Sequence, residues 1–127
     1  MVDFSASVFR AYAHLNAGEI GLAKELIAPW IHQLQGMTRH DQGELLHLLG
    51  SIAAADKNTD LAIAYFMDER SLAPPHPLAR LHNREHLLEV LRQSPKQNTD
   101  LALEIAAEAV ELALLHADGT RSRQAMR

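Results

Sequence analysis

The sequence predicts an all-α protein built from repeated helix pairs. The pentapeptide Asn-Thr-Asp-Leu-Ala occurs at 58–62 and again at 98–102, and each copy opens a stretch of strong helix formers. A fainter copy at 18–23 ends on an alanine 39 positions before Ala62, and Ala62 precedes Ala102 by 40 positions. Apolar residues follow helical periodicity, and no alternating β-branched run is long enough for a strand. Such regular spacing is typical of a solenoid, in which each unit buries its apolar face against its neighbours.

The first helix pair is predicted from the apolar pattern and from one proline. A helix at about 4–16 is followed by a turn, and a second helix begins near Glu19 and meets Pro29. Proline inside a helix removes a backbone donor and clashes with the preceding turn. We therefore expect the second helix to stop near Ile27 or to kink before 30–34 continues it.

The other two pairs are predicted from their boundary residues. The expected helices lie at about 41–55, 59–72, 77–93 and 99–116. Asp60, or Thr59 before it, is the expected N-cap of the fourth helix. Pro74-Pro75 and Pro77 should end that pair, and Asp118-Gly119 should stop the last helix.

A length of 127 residues indicates one domain. We assign it to 1–119, with units at about 4–36, 41–75 and 77–118. The segment 120–127 is then a flexible basic tail or the start of a further helix.

Composition narrows the function classes. The chain is 47% hydrophobic and 22% charged, has a net charge of -4, and contains no cysteine. No apolar run approaches the roughly 20 residues that cross a bilayer, so we expect no membrane span. Absence of cysteine excludes disulfides and thiolate metal sites and fits a reducing cytoplasm. Because the chain is acidic and has few aromatics, we do not expect direct nucleic-acid binding.

The middle unit resembles a tetratricopeptide repeat. The residues at the family's spacing are Leu46, Leu49-Gly50, Ala53, Ala62, Phe66 and Pro74. Gly50 and Ala62 are small where two antiparallel helices would cross closely, and Phe66 would fill the gap one turn further on. This sequence departs from the family's pattern at Leu46, where Trp is usual, at Ala53, where Tyr is usual, and at Glu69, where a small residue is common.

Two other architectures remain open. The period of 39 to 40 exceeds the standard tetratricopeptide length of about 34 and touches the range of HEAT-type repeats. Longer linkers explain the difference more simply. A closed helical bundle is the third alternative.

The tetratricopeptide resemblance implies that a protein or peptide partner binds along a concave surface made by the first helix of each pair. Matched position by position, the face carries Val8, Tyr12, Leu15, His47, Ser51 and Ala54. The groove lacks the Lys and Asn cluster with which some family members hold a C-terminal carboxylate. An apolar helix or extended apolar segment suits it better. Alternatively, these residues pack against a C-terminal helix of the same chain.

Catalytic motifs are sparse. The segment 82–86, His-Asn-Arg-Glu-His, satisfies the inverted zinc-protease pattern H-x-x-E-H, and His82 and His86 would share one helix face. The match covers five residues of a chain far shorter than those enzymes. We interpret the histidines as part of a polar surface stripe and expect no enzyme activity, no bound metal and no cofactor.

Two functional classes fit such an array. One is a regulatory or adaptor module, favoured because 102–119 looks like repeats of bacterial signalling and transcription-regulator sensor regions. The other is a chaperone that shields an aggregation-prone export client. A metal-dependent enzyme through His82, Glu85 and His86 ranks third. We also predict a homodimer through Leu112 and Leu115, because the last helix is apolar over more than one face.

Overall fold

The computed structural model describes residues 3–73, 76–96 and 98–125, and for 118–125 it describes the helix path alone. The helices are α1 (Phe4–Asn16), α2 (Ile20–Ile31), α3 (Arg39–Ala55), α4 (Thr59–Leu72), α5 (Pro77–Gln93) and α6 (Thr99–Ala125), with a 3₁₀ turn at Leu34–Gly36. No strand occurs in these segments, which confirms the all-α prediction. Pro74 and Pro75, expected to close the second unit, lie outside the described residues.

The repeated pentapeptide begins at a helix cap. The Asn58 side chain accepts a hydrogen bond from the Leu61 backbone N–H at 3.4 Å, and Asn98 accepts one from Leu101 at 3.2 Å. Each asparagine satisfies a backbone donor that the first helical turn leaves unpaired. The prediction that Thr59 or Asp60 caps α4 is therefore wrong, because both already lie inside the helix.

Two helix ends also differ from the predictions. Of the two predicted outcomes at Pro29, the stop near Ile27 is wrong, because α2 continues past Pro29; the helix then ends at Ile31, before position 34, which the alternative predicted. Since Pro29 falls in the last turn, few intrahelical bonds follow it and its disruption is small. The stop at Asp118-Gly119 is wrong as well, because α6 continues to Ala125. An isolated glycine costs a helix only about 1 kcal/mol relative to alanine and ends it only where the chain turns left-handed.

The helices pack as α1 with α2, α3 with α4 and α5 with α6, and α4 also packs on α5. Two apolar clusters result. The first is formed by Val8, Ala11, Ala23, Ile27, Leu45, Leu48, Leu49 and Ile52, and the second by Ala53, Ala62, Phe66, Leu87, Val90 and Ile105. Tyr65 packs against both clusters and so joins the first half of the chain to the second.

The turns of the first two pairs have the same hydrogen bonds. After α1, Glu19 N–H donates to His14 O at 2.8 Å and Gly18 N–H donates to Leu15 O at 3.0 Å. After α3, the N–H groups of Asn58 and Lys57 donate to Ala53 O and Ala54 O at 2.8 and 3.1 Å. Both patterns are Schellman motifs. Gly18 and Lys57 have the left-handed φ values of 80° and 60° that this motif requires.

An ion-pair network holds the last three helices together. Glu108 on α6 accepts hydrogen bonds from Arg70 on α4 and from Arg84 Nε on α5, the latter at 2.7 Å. These hydrogen bonds lower the pKa of the Glu108 carboxyl, and the bond from Arg70 makes the largest contribution.

Among the helices described, none has the length and apolar character needed to cross a membrane.

Candidate functional site

A cleft of about 720 Å³ opens between the first helices of the three pairs. Its walls come from α1, α3 and α5 and from the end of α4. The lining residues are Val8, Tyr12, Arg39, His40, Gly43, Glu44, His47, Glu69, Ala73, His76, Ala79, Arg80 and His82. This volume is in the range of ordinary ligand pockets, which hold roughly 300 to 1,000 Å³.

A buried carboxylate forms part of the cleft wall. Glu69 is only 4% exposed, and its Oε1 accepts hydrogen bonds from His47 Nδ1 at 2.9 Å and from Asn83 Nδ2 at 2.8 Å. The carboxylate thereby connects α3, α4 and α5 and fixes the orientation of the His47 ring.

Asn83 completes this network from a fully buried position. Its Nδ2 donates to Phe66 O at 2.9 Å as well as to Glu69, and its Oδ1 accepts from Arg84 Nη1 at 3.0 Å. No buried side-chain polar atom in the described segments lacks a partner. The side chains of a fully paired buried polar network keep a single arrangement, because any displacement would leave a desolvated group unpaired.

Tyr12 adds a protonated hydroxyl on the α1 side of the cleft. Burial, with smaller contributions from the charges of Glu69 and Glu44, raises the pKa of the Tyr12 phenol far above its usual value. The phenol therefore stays neutral at every physiological pH. It can donate a hydrogen bond to a ligand that enters beside Val8.

Two histidine rings lie on Phe66. The ring centroid of His86 is 4.8 Å from that of His47 and 5.6 Å from that of Phe66, and His47 is 5.4 Å from Phe66. Burial of this ring face, followed by the charges of His47 and His82, lowers the pKa of His86. His86 is thus neutral at pH 7 and serves as an aromatic neighbour of the cleft rather than as a cation.

The cleft rim is rich in basic and imidazole groups. Arg39, His40, His76, Arg80 and His82 all line it. Arg80 donates to Ala73 O at 3.3 Å, and His40 contacts both Asp41 and Glu44. The rim can therefore present donors to a carboxylate or to backbone carbonyls of a ligand.

Of the six residues that the sequence places on the binding face, the cleft brings together Val8, Tyr12 and His47. The other three do not line it. Leu15 packs against the first apolar cluster and Ala54 against the second, while Ser51 donates its hydroxyl to His47 O at 2.9 Å.

Sequence reasoning missed Glu69 and Asn83. The available signal was their position on otherwise apolar faces. Glu69 follows Ala62 and Phe66 at helical spacing, and Asn83 precedes Leu87 and Val90 in the same way. A single polar residue at such a place predicts a buried group that needs a partner.

Metal ligands are not assembled by the H-x-x-E-H motif in the part of the chain that the structure describes. His82 faces the cleft and His86 lies on His47 and Phe66, and these two do not join Glu85 in a set of three converging ligand atoms. The set that does converge, within 4.8 Å, is His40, Asp41 and Glu44. All three lie at the protein surface, where such groups commonly occur without an ion.

The residues predicted for self-association lie on α6. Leu112 is half-buried, and Leu115 is 57% exposed.

Comparison of the chain with protein-family models, with curated proteins and with solved structures gives no match.

Proposed function

We propose that the protein is a non-enzymatic protein-binding module in which three helix pairs form a tetratricopeptide-like array and the cleft holds a segment of a partner. The observation that carries this proposal is the origin of the cleft walls. They come from α1, α3 and α5, the first helix of each pair, together with the end of α4. This is the surface on which the tetratricopeptide resemblance places a bound peptide.

Equivalent residues in the first two pairs support the repeat interpretation. Ala11 and Gly50 are 39 positions apart, as are Ala23 and Ala62, and Ile27 and Phe66. Ala11, Ala23, Ile27, Ala62 and Phe66 are all at most 1% exposed. In each pair, a small residue in the first helix and a small and a large one in the second therefore occupy equivalent positions, and in the second pair Gly50 lies against Phe66.

The cleft chemistry favours an extended peptide with apolar side chains. Val8, Ala73 and Ala79 offer apolar walls, and Gly43 leaves open space, since a Cβ placed there would contact nothing within 4 Å. The Tyr12 hydroxyl and the rim donors can bond the carbonyl groups of the peptide backbone. The apolar contacts supply affinity, and the fixed polar groups orient the ligand.

Gly43 provides a test that leaves the cores intact. Gly43→Leu should fill the cleft, whereas Gly21→Leu is a matched control, because Gly21 is an exposed helical glycine of α2 that also has open space around it. Peptides would be selected from a displayed random library against the whole chain, and their affinities measured by calorimetry. We expect Gly43→Leu to weaken binding by about tenfold or more, equivalent to at least about 1.4 kcal/mol, and Gly21→Leu to leave it unchanged.

The binding position would be read by NMR from the backbone signals of α1, α3 and α5. Selected peptides that bind equally well to the wild type and to Gly43→Leu, or that shift signals away from Val8, Tyr12 and His47, would refute the proposal. Failure to select any peptide would count against it too.

A further inference from the structure

The last helix is apolar on two opposite sides. On one side Ile105 is fully buried in the second apolar cluster. On the other side lie Leu103, Ala107, Val110 and Leu114, at spacings of four, three and four residues. The three large members of this set are 65%, 61% and 61% exposed. Leu103, Ala107, Val110 and Leu114 together form the outer stripe of α6.

Helix geometry separates the two sides. At about 100° per residue, the outer stripe occupies a narrow sector, and Ile105 lies roughly opposite its centre. Leu112 lies seven residues after Ile105 and shares its side, consistent with its half-burial. The outer stripe therefore faces away from α5, and spacings of three and four residues form the seam by which one helix packs on another.

The two edges of the outer stripe differ in character. One edge carries Asp100, Glu104 and Glu111, all of them exposed. Glu104 has an ion pair with Arg70 at 3.4 Å, yet its side chain remains 59% exposed, and neither Asp100 nor Glu111 is ion-paired with any residue that the structure describes. The opposite edge carries Ala106 and Ala113, whose small side chains allow a second helix to approach closely.

We infer that the outer stripe is a docking site for a basic amphipathic helix of another protein. Apolar residues of that helix at three- and four-residue spacing would cover Leu103, Val110 and Leu114. Lys or Arg side chains beside them would meet the acidic edge, which sets the orientation of the helix and rejects acidic competitors. This site is on α6 and is independent of the cleft.

Charge also argues against a second copy of this chain as the occupant. In an antiparallel pair of α6 helices, like edges face each other, so that Glu104 and Glu111 of one copy would lie beside the same residues of the other. Opposed like charges are unfavourable at such a seam. Against an antiparallel helix, the stripe thus complements a basic partner better than it complements a second copy of itself.

The test uses two synthetic peptides of about 18 residues, which as helices of about 27 Å extend beyond the roughly 17 Å from Leu103 to Leu114. Both carry Leu at three- and four-residue spacing; one has Lys on both flanks of the seam and the other has Glu. Fluorescence anisotropy would measure the binding of each to the whole chain. We expect the Lys peptide to bind at least about tenfold more tightly than the Glu peptide, with an advantage that shrinks as salt is added.

Matched variants locate the site. Leu114→Ser should weaken the Lys peptide by about tenfold or more, whereas Phe9→Ser, at a 78% exposed position on α1, should leave its affinity unchanged. Glu111→Lys should reduce the preference for the Lys peptide, while Glu25→Lys changes the net charge equally on exposed α2 and should not. Circular dichroism would confirm that each variant folds.

Three results would overturn the inference. The first is equal affinity for the Lys and Glu peptides, or no binding of either at roughly 100 μM. The second is that Phe9→Ser lowers the affinity for the Lys peptide as much as Leu114→Ser does. The third is sedimentation of the wild-type chain as a dimer that Leu114→Ser converts to a monomer, which would assign the outer stripe to self-association.

Discussion

Gly50 offers a sharp test of the packing between α3 and α4. A Cβ placed on Gly50 would lie 2.7 Å from Cε1 of Phe66 and 2.8 Å from its Cζ, distances that carbon atoms do not tolerate. The Phe66 ring is fully buried and has His47 and His86 against it. Even Gly50→Ala should therefore strain the core, and Gly50→Leu, with its larger side chain, should destabilise the protein more strongly.

The change in stability expected for Gly50→Ala combines two opposing effects. Alanine in place of glycine stabilises a helix interior by about 1 kcal/mol, whereas overpacking a core costs about 1 to 3 kcal/mol. Gly43→Ala, on the same helix but with open space around it, should show only the favourable effect. The difference between the two variants removes the propensity gain and should be about 1 to 3 kcal/mol, or roughly 4 to 12 °C in melting temperature at this chain length.

Thermal unfolding followed by circular dichroism measures both variants against the wild type. A further variant separates overpacking from other causes, because Phe66→Leu frees the space that the new methyl group needs. In that background Gly50→Ala should stabilise the protein as Gly43→Ala does. If Gly50→Ala raises the melting temperature of the otherwise wild-type chain as much as Gly43→Ala, the close approach of Gly50 to Phe66 is wrong.

Three further predictions follow from the caps, the ion pairs and the histidines. Lys57→Gly should raise the free energy of unfolding by about 1 kcal/mol, because Lys57 has a left-handed φ of 60°; a lower melting temperature would contradict this. Because Arg70 and Arg84 lower the pKa of Glu108, their stabilisation should be complete above about pH 4.3 and disappear as the pH falls through the lower folded-state pKa. Urea unfolding at several pH values should therefore show that the free energy of unfolding falls less steeply below about pH 4.3 for Glu108→Gln than for the wild type. Equal slopes of this free energy against pH would refute the ion-pair argument. A chelator should change neither helicity nor partner binding, and helicity that zinc restores after chelation would assign a metal role to His82 and His86.

Helix positions could be predicted from the sequence because the signals that set them are local. The predicted spans 4–16, 59–72 and 77–93 agree with α1, α4 and α5 at both ends. Apolar periodicity and helix-stop residues act within one or two turns, so they can be recognised without knowledge of the packing. The prediction at Asp60 was wrong because neighbouring residues are equally suited to an N-cap. The prediction at Gly119 was wrong because a residue that often ends a helix is tolerated inside α6.

The cleft and the faces of α6 depended on the tertiary structure. The tetratricopeptide resemblance placed Val8, Tyr12 and His47 on one surface, but whether Leu15 and Ala54 joined them depended on how neighbouring helices cross. Helix propensity carries no information on such crossings, which are set by the side chains at each contact. The Glu69 carboxylate is buried because α3 and α5 each supply a donor to it, and those donors are 22 and 14 residues away along the chain. Local sequence signals thus set where the helices form, whereas the packing of the helices sets which of their side chains meet.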